Sequence, residues 1–237
     1  MAIHPDISIT WLGHATFALR TPGGKTLIID PWLAENPACP DTAKNPAPMD
    51  ALLLTHGHFD HIGDAISLAR KHSPQVVGSF EICEWLRSKG VENTVGMNKG
   101  GTVEVAGVQV TMVHAVHSCG ISDGDRIVYG GEAAGFVLSF DNRFAIYHAG
   151  DTAVFSDMQL IGELYEPDVA MLPIGGHFTM GPREAARACK LLGVSRVVPM
   201  HFGTFPLLKG TPDQLRAELE RESPRCQVVE AQPGEPV

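Results

Sequence analysis

Thr55-His56-Gly57-His58-Phe59-Asp60-His61 gathers three histidines and one aspartate within six positions. Neutral imidazole binds zinc-like ions well, and a carboxylate oxygen can join it. His56 and His58 lie two apart, so an extended loop points both the same way. Asp60 and His61 then turn toward a second point, so one loop can serve two metal ions. A solvated histidine-rich loop is the alternative. It accounts for one histidine better than for four candidate ligands behind a strand.

The elements that must hold these groups are readable from the apolar pattern. Ala51-Leu52-Leu53-Leu54 reads as a buried strand feeding the histidine loop. Residues 7–12 and 16–20 form a hairpin broken by Gly13-His14-Ala15, and residues 27–29 form a strand ending in Asp30-Pro31. Helices are expected over 64–71 and 80–87, with a strand over 75–78 between them. Residues 102–105 and 108–113 read as strands leading to His114 and His117, and a loop with Asp123-Gly124-Asp125 follows. Residues 135–140 and 143–147 form a hairpin running into His148-Ala149-Gly150-Asp151-Thr152. A helix over 158–165, a strand over 169–174 ending at His177, a helix over 182–192 and a strand over 196–200 ending at His201 complete the pattern. Thr211 caps a last helix, and residues 227–230 form a final strand. Strands alternating with helices imply an α/β layered fold. Asp30, the His56 loop, His117, Asp151, His177 and His201 each follow an apolar strand. Strand ends along one edge are rigid mounts for a site. Residues 34–48, rich in proline, read as a loop forming a lid or rim.

The chain has 237 residues, 44% apolar and 19% charged, enough for one large globular domain over residues 1–237. Its formal net charge of −9 shows no basic footprint for nucleic acid. Five scattered cysteines without a Cys-x-x-Cys argue against a disulfide framework or a cysteine zinc site and fit a reducing cytoplasm. The first residues lack a signal-peptide pattern, and no apolar run is long enough to span a membrane. Gly23-Gly24-Lys25-Thr26 has the wrong glycine spacing for a phosphate loop.

The His56-x-His58-x-Asp60-His61 loop, His117, Asp151 in a Gly-Asp-Thr turn and a late His201 together resemble the metallo-β-lactamase superfamily, in order across nearly the whole chain. Gly13-His14-Ala15, the stretch from Pro173 to Pro182 (Pro-Ile-Gly-Gly-His-Phe-Thr-Met-Gly-Pro) and Pro199-Met200-His201 look like its bacterial and archaeal branch of metal-dependent hydrolases. Ascorbate-phosphate lactonase and the phospholipase D acting on N-acyl phosphatidylethanolamine are similar, more distant branches. The resemblance implies an αββα sandwich, two mixed sheets face to face with helices outside. It carries His56, His58 and His117 to one metal and Asp60, His61 and His201 to a second, with Asp151 bridging. His117 is chosen over His114 because it lies nearer the strand end and precedes Ser118. Two divalent ions, zinc foremost with nickel, manganese or iron as alternatives, would make a hydroxide available near neutral pH. Asp60 would orient it or take its proton.

Asp30 is placed beneath the metal loop, accepting hydrogen bonds from its backbone or from a ligand imidazole. His14 is either structural or a support to a ligand, and His148 reads as structural. His177 is the candidate non-ligand catalytic group, donating to an oxyanion or a leaving group, against the alternative that it only anchors its own glycine loop. Cys119 reads as a buried thiol. The expected function is metal-dependent hydrolysis of a small-molecule ester, lactone or phosphodiester, with the substrate chosen by residues 34–48 and 118–131. A redox di-iron protein of the same fold is the alternative, opposed by His58 where such relatives carry glutamate. A non-catalytic metal-binding protein is the third reading.

Overall fold

A computed structural model describes residues 3–237. Six strands build the first sheet in sequence order: β1 (Ser8–Trp11), β2 (Phe17–Arg20), β3 (Thr26–Ile29), β4 (Ala51–Leu53), β5 (Gln75–Ser79) and β6 (Thr94–Met97). The first three pair antiparallel and the rest parallel. Between them lie α1 (Phe59–Ile62), α2 (Ala65–His72) and α3 (Phe80–Ser88).

The second sheet draws on β7 (Thr102–Val105), β8 (Val108–His114), β11 (Ala134–Ser139), β12 (Ala145–His148), β13 (Val169–Pro173), β14 (Arg196–Met200) and β15 (Gln227–Val228). Its spatial order is β15-β14-β13-β12-β11-β8-β7. It too begins antiparallel and turns parallel from β12 onward. Helices α4 (Met158–Tyr165), α5 (Pro182–Leu192) and α6 (Pro212–Glu222) belong to this half. Thr211 caps α6, accepting from the Gln214 backbone N–H, while the Gln214 side chain accepts from Thr211 N–H.

Side chains alternate faces along each strand, and this sorts them into layers. Leu27 and Ile29 of β3 join Phe17, Leu53 and Val77 against Met112, Phe136, Ile146 and Met171 of the other sheet. Ile28, between them, points the other way and packs with Leu52 and Val76 against Leu68, Ile82 and Leu86 of the first helical layer. Val137, Tyr147, Ala170 and Leu172 do the same beneath Met158, Ala185, Cys189 and Leu215. The result is the expected αββα four-layer sandwich.

Three local expectations are corrected. The region around Asp123-Gly124-Asp125 is a β-hairpin, β9 (Gly120–Asp123) and β10 (Arg126–Tyr129), with Gly124 at φ +65°. An Asp-Gly pair between short runs of β-formers is a hairpin signal that a loop reading passes over. Residues 34–48 form no wall of the site cavity. They close on themselves instead: buried Asn36 donates to Trp32 O and accepts from Ala38 N–H, while Asp64 accepts from Leu33 and Ala34 N–H. Strand β6 was not anticipated, because Val95 is flanked by Thr94 and Gly96 and shows no apolar run.

Candidate metal centre

The strand ends deliver the expected groups to one edge. His56, His58, His117 and Asp151 offer ligand atoms all within 4.8 Å of one another, and so do His14, Asp60, His61 and His201. Asp151 faces both sets. Its Oδ2 lies 3.0 Å from His201 Nε2, 3.5 Å from His117 Nε2 and 3.9 Å from His56 Nε2, and its Oδ1 lies 3.3 Å from His61 Nε2. Asp60 Oδ2 stands 3.9 Å from His61 Nε2 and 3.8 Å from His201 Nε2. Ligand atoms around a tetrahedral ion with bonds near 2.1 Å stand about 3.4 Å apart, so these separations fit.

The hydrogen bonding gives an independent test of fit. Thr55 Oγ1 donates to Asp30 Oδ2 at 2.6 Å, so it accepts from His56 Nδ1–H at 3.0 Å. His61 Nδ1–H donates to Asp30 Oδ2 at 2.8 Å. Both imidazoles are thereby fixed with their Nε2 atoms toward the site. His56 Nε2 lies only 3.0 Å from His58 Nδ1, and two lone pairs so close repel unless a proton or a cation lies among them. Among the described residues, His61 Nε2, His201 Nε2 and Asp151 Oδ1 are buried with no aligned hydrogen-bond partner. Buried orphans of this kind need an explanation, and metal ions supply one.

The electrostatics agree. Burial pushes His56 well below its ordinary pKa, and burial also lowers His58 and His117. Neutral imidazoles are the form that binds metal. For Asp151 burial opposes ionisation, but His201 and His61 outweigh it and hold the carboxyl well below its usual range. His61 goes the other way: burial is overcome by Asp151 and Asp30, and its pKa rises.

Several of these residues carry a strained backbone. His14, Asp30, His177 and His201 have φ of 55°, 49°, 57° and 55°, in the left-handed region that non-glycine residues avoid. Asp30 and His201 directly follow β3 and β14, while His14 and His177 lie in the turns after β1 and β13. The glycines before His177 serve this arrangement. A Cβ on Gly175 would lie 2.1 Å from the carbonyl oxygen of His201.

The remaining candidates separate clearly. His114 is exposed, bonded through Nδ1 to Lys99 Nζ at 2.9 Å, and lies outside both clusters, whereas His117 lies within one. His148 is buried with both ring nitrogens engaged, to Ala15 O and Gly150 N–H, and is structural. His14 joins the second cluster, its Nε2 2.9 Å from Asp60 Oδ2 and its Nδ1 3.0 Å from Thr204 Oγ1. Cys119 accepts from Gly57 N–H and donates to Gly130 O, and burial raises its thiol to about 11. His177 is not brought to the cluster. It is exposed, its ring edge-on to Phe178 at 4.4 Å.

A cavity of about 700 Å³ opens over the cluster, lined by His58, Asp60, His117, Asp151 and His201 at its base and by Phe59, Phe178, Phe205, Pro206 and Leu207 along its sides. Ser118 and Ser122 complete it, so the 118–131 segment does contribute while 34–48 does not. Residues 205–207 escaped the sequence reading. The signal was present as an apolar run, Phe202-Gly203-Thr204-Phe205-Pro206-Leu207-Leu208, directly after a ligand-type histidine.

Comparison with known proteins agrees with this architecture. Residues 25–202 match the family described as Beta-lactamase superfamily domain. A metal-dependent hydrolase of the UPF0173 group from Koribacter versatilis is 58% identical, covering 97% of each chain. A second, from a Roseiflexus species, is 51% identical over 98% of this chain and 97% of its own. The solved structure of Igni18, a metallo hydrolase from Ignicoccus hospitalis, superposes with a TM-score of 0.85 at 36% identity, covering 98% of this chain and 97% of that one. A four-layer sandwich with these candidate ligand groups in this order along one edge, matched over nearly its full length, belongs to the metallo-β-lactamase superfamily, in its UPF0173 branch.

Proposed function

We propose that residues 1–237 form one dinuclear metallohydrolase domain that adds water to an ester-like bond of a small molecule. The observation that carries this reading is the pair of four-residue clusters beneath an open cavity, with Asp151 of one cluster within 3.3 Å of His61 and 3.0 Å of His201 of the other. His56 Nε2, His58 Nδ1 and His117 Nε2 would hold one ion; Asp60, His61 and His201 the other, with Asp151 facing both. Two divalent ions held there, zinc foremost, would supply the Lewis acidity that makes water a competent nucleophile at neutral pH.

The protein's own groups set the geometry. Asp30 aims His61 directly and His56 through Thr55. Asp60 lines the cavity, and its carboxyl sits at about 2: burial opposes ionisation, while the His14 hydrogen bond and His61 favour it more strongly. A carboxylate that acidic is suited to orient a water by accepting its hydrogen bond rather than to retain its proton. For His177 the test is direct. A proton-donor role predicts a large loss of kcat in His177→Ala, and a turn-anchoring role predicts little change.

The hydrolase reading is tested by measuring bound metal in the purified protein and in His58→Ala and Asp60→Ala, alongside hydrolysis of generic esters and phosphodiesters with zinc, manganese and nickel. Loss of metal together with turnover supports it. Unchanged metal content and unchanged turnover in both variants would end it. A cytoplasmic setting accords with five free thiols, all buried.

A further inference from the structure

The walls of the cavity differ in kind from its base. Phe59, Phe178 and Leu207 are large apolar side chains, each about half exposed at 57%, 51% and 49%, and all three surround this opening. Phe205 and Pro206 continue the same wall. Such apolar groups left facing water around one concavity mark a place where something apolar binds. Phe59 and Phe205 are also held in place from behind. Buried Trp32 stacks on Phe205 at 5.6 Å between ring centroids and meets Phe59 edge-on at 5.9 Å. His14 presents its edge to Phe205 at 5.5 Å. This part of the wall is therefore preformed, and a ligand loses little in ordering it.

The charged groups are distributed in a complementary way. Every ionisable side chain lining the cavity belongs to the two metal clusters; among the described residues no lysine or arginine lines it. The other polar side chains of the lining are the hydroxyls of Ser118 and Ser122. A carboxylate or phosphate carried by the substrate away from the reacting bond would meet phenyl and aliphatic surface and lose its hydration without a partner. The net charge of −9 adds a weak repulsion to any anion approaching.

We propose that the substrate is an uncharged ester or lactone bearing an alkyl or aryl group, which lies against Phe59, Phe178, Phe205 and Leu207 while the carbonyl faces the cluster. This rests on the hydrolase reading above and narrows it. Oxygen from water bonds to the carbonyl carbon, the bond from that carbon to the alcohol oxygen breaks, and one water proton ends on the alcohol. The acid formed gives its proton to solvent. No other reactant is required.

The test uses the metal-loaded protein with p-nitrophenyl esters from acetate to decanoate, and a matched series with a carboxylate at the chain end. The expected result is a kcat/KM that rises about fourfold per added methylene until the cavity is filled, with the terminal carboxylate cancelling the gain. Phe178→Ala and Leu207→Ala, both at exposed positions, reduce the slope with chain length. A second measurement needs no metal: binding of the corresponding 2-alkanones to metal-free protein, read by tryptophan emission, with Trp32→Phe identifying the reporter. If no ester turns over but the ketones bind with the same dependence on chain length, hydrolysis fails and the apolar preference stands. A flat profile in both series, or a preference for the carboxylated chains, overturns the proposal.

Discussion

Nε2 of His14 lies 2.9 Å from Oδ2 of Asp60, and the two residues are 46 positions apart in the chain. The contact is anchored from the other side, because His14 Nδ1 is 3.0 Å from Thr204 Oγ1. The His14 ring also lies tilted against His201 at 3.8 Å between centroids, and His14 O accepts from the His201 backbone N–H. One buried imidazole thus touches two of the groups proposed for the second ion. Residues that aim a ligand typically change metal affinity by 10–100-fold. His14→Ala is therefore expected to weaken the second ion by about that factor and leave the first largely in place. Titration of metal-free protein with zinc, followed calorimetrically, should resolve one tight and one weakened event. Two unchanged events would remove His14 from this role.

The same residue makes a pH prediction. Burial, followed by the charge of His201, lowers His14 from 6.5 to about 4. A histidine depressed in the folded state binds its proton more readily when unfolded, so stability rises with pH between about 4 and 6.5. His56, His58, His117 and His148 shift the same way. His61 has the opposite sign, but its contribution is complete below the unfolded value of 6.5 and is lost only above it, so it does not mask the effect. Metal-free protein should lose stability steadily as pH falls through this window, with His14 accounting for about 3 kcal/mol at most. Urea midpoints at intervals from pH 7 to pH 4 measure it. His14→Gln, which keeps a donor for Asp60 but cannot be protonated, should fall less steeply.

Asp30 is fully buried and accepts three hydrogen bonds, from Thr55 N–H at 2.8 Å, Thr55 Oγ1 at 2.6 Å and His61 Nδ1 at 2.8 Å. Removing it strands buried donors as well as releasing two imidazoles. Asp30→Ala should cost about 3 kcal/mol in the metal-free protein and lower the affinity for both ions. Chemical denaturation without metal separates the structural part from the loss of ligand orientation. A variant as stable as the parent would show that the network around Thr55 reorganises freely.

These three relationships also show how far the sequence alone can be read. The proposed ligands were legible because each follows a strand whose alternation or apolar run is visible, and because His56, His58, Asp60 and His61 are neighbours in the chain. The four layers followed from strand and helix order. Asp30, at a strand end, was legible too: it accepts from the Thr55 backbone and from His61 as expected. His14 was less so, since it acts across 46 residues and its left-handed φ leaves no mark on composition. Residues 34–48 and 205–207 were weighted the wrong way round for a related reason. Proline-rich loop composition is the same whether a loop folds onto the core or over a site, and an exposed apolar loop has no periodicity to announce which way it faces. Asn36 and Asp64 decide the first case through hydrogen bonds, and Trp32 decides the second through stacking.

Gly57 sits between two proposed ligands and has a definite steric reason to be glycine. A Cβ there would lie 2.5 Å from Cγ1 of Ile121 and 3.3 Å from the carbonyl oxygen of Cys119. Ile121 lies in β9 and Cys119 directly precedes it, and Gly57 N–H already donates to Cys119 Sγ at 3.3 Å. The hairpin therefore braces the metal loop from outside, through packing rather than ligation. Gly57→Ala must push the loop or the hairpin aside, and overpacking of this kind costs about 1–3 kcal/mol. Because His56 and His58 flank the position, the displacement should appear as weaker binding of the first ion, with the second less affected. Adding Ile121→Ala to Gly57→Ala removes the closer of the two contacts and should recover part of the metal affinity, even though Ile121→Ala alone creates a cavity and destabilises the fold. A double variant no better than Gly57→Ala in zinc titrations would place the constraint in the backbone of the loop itself rather than in its contact with the hairpin.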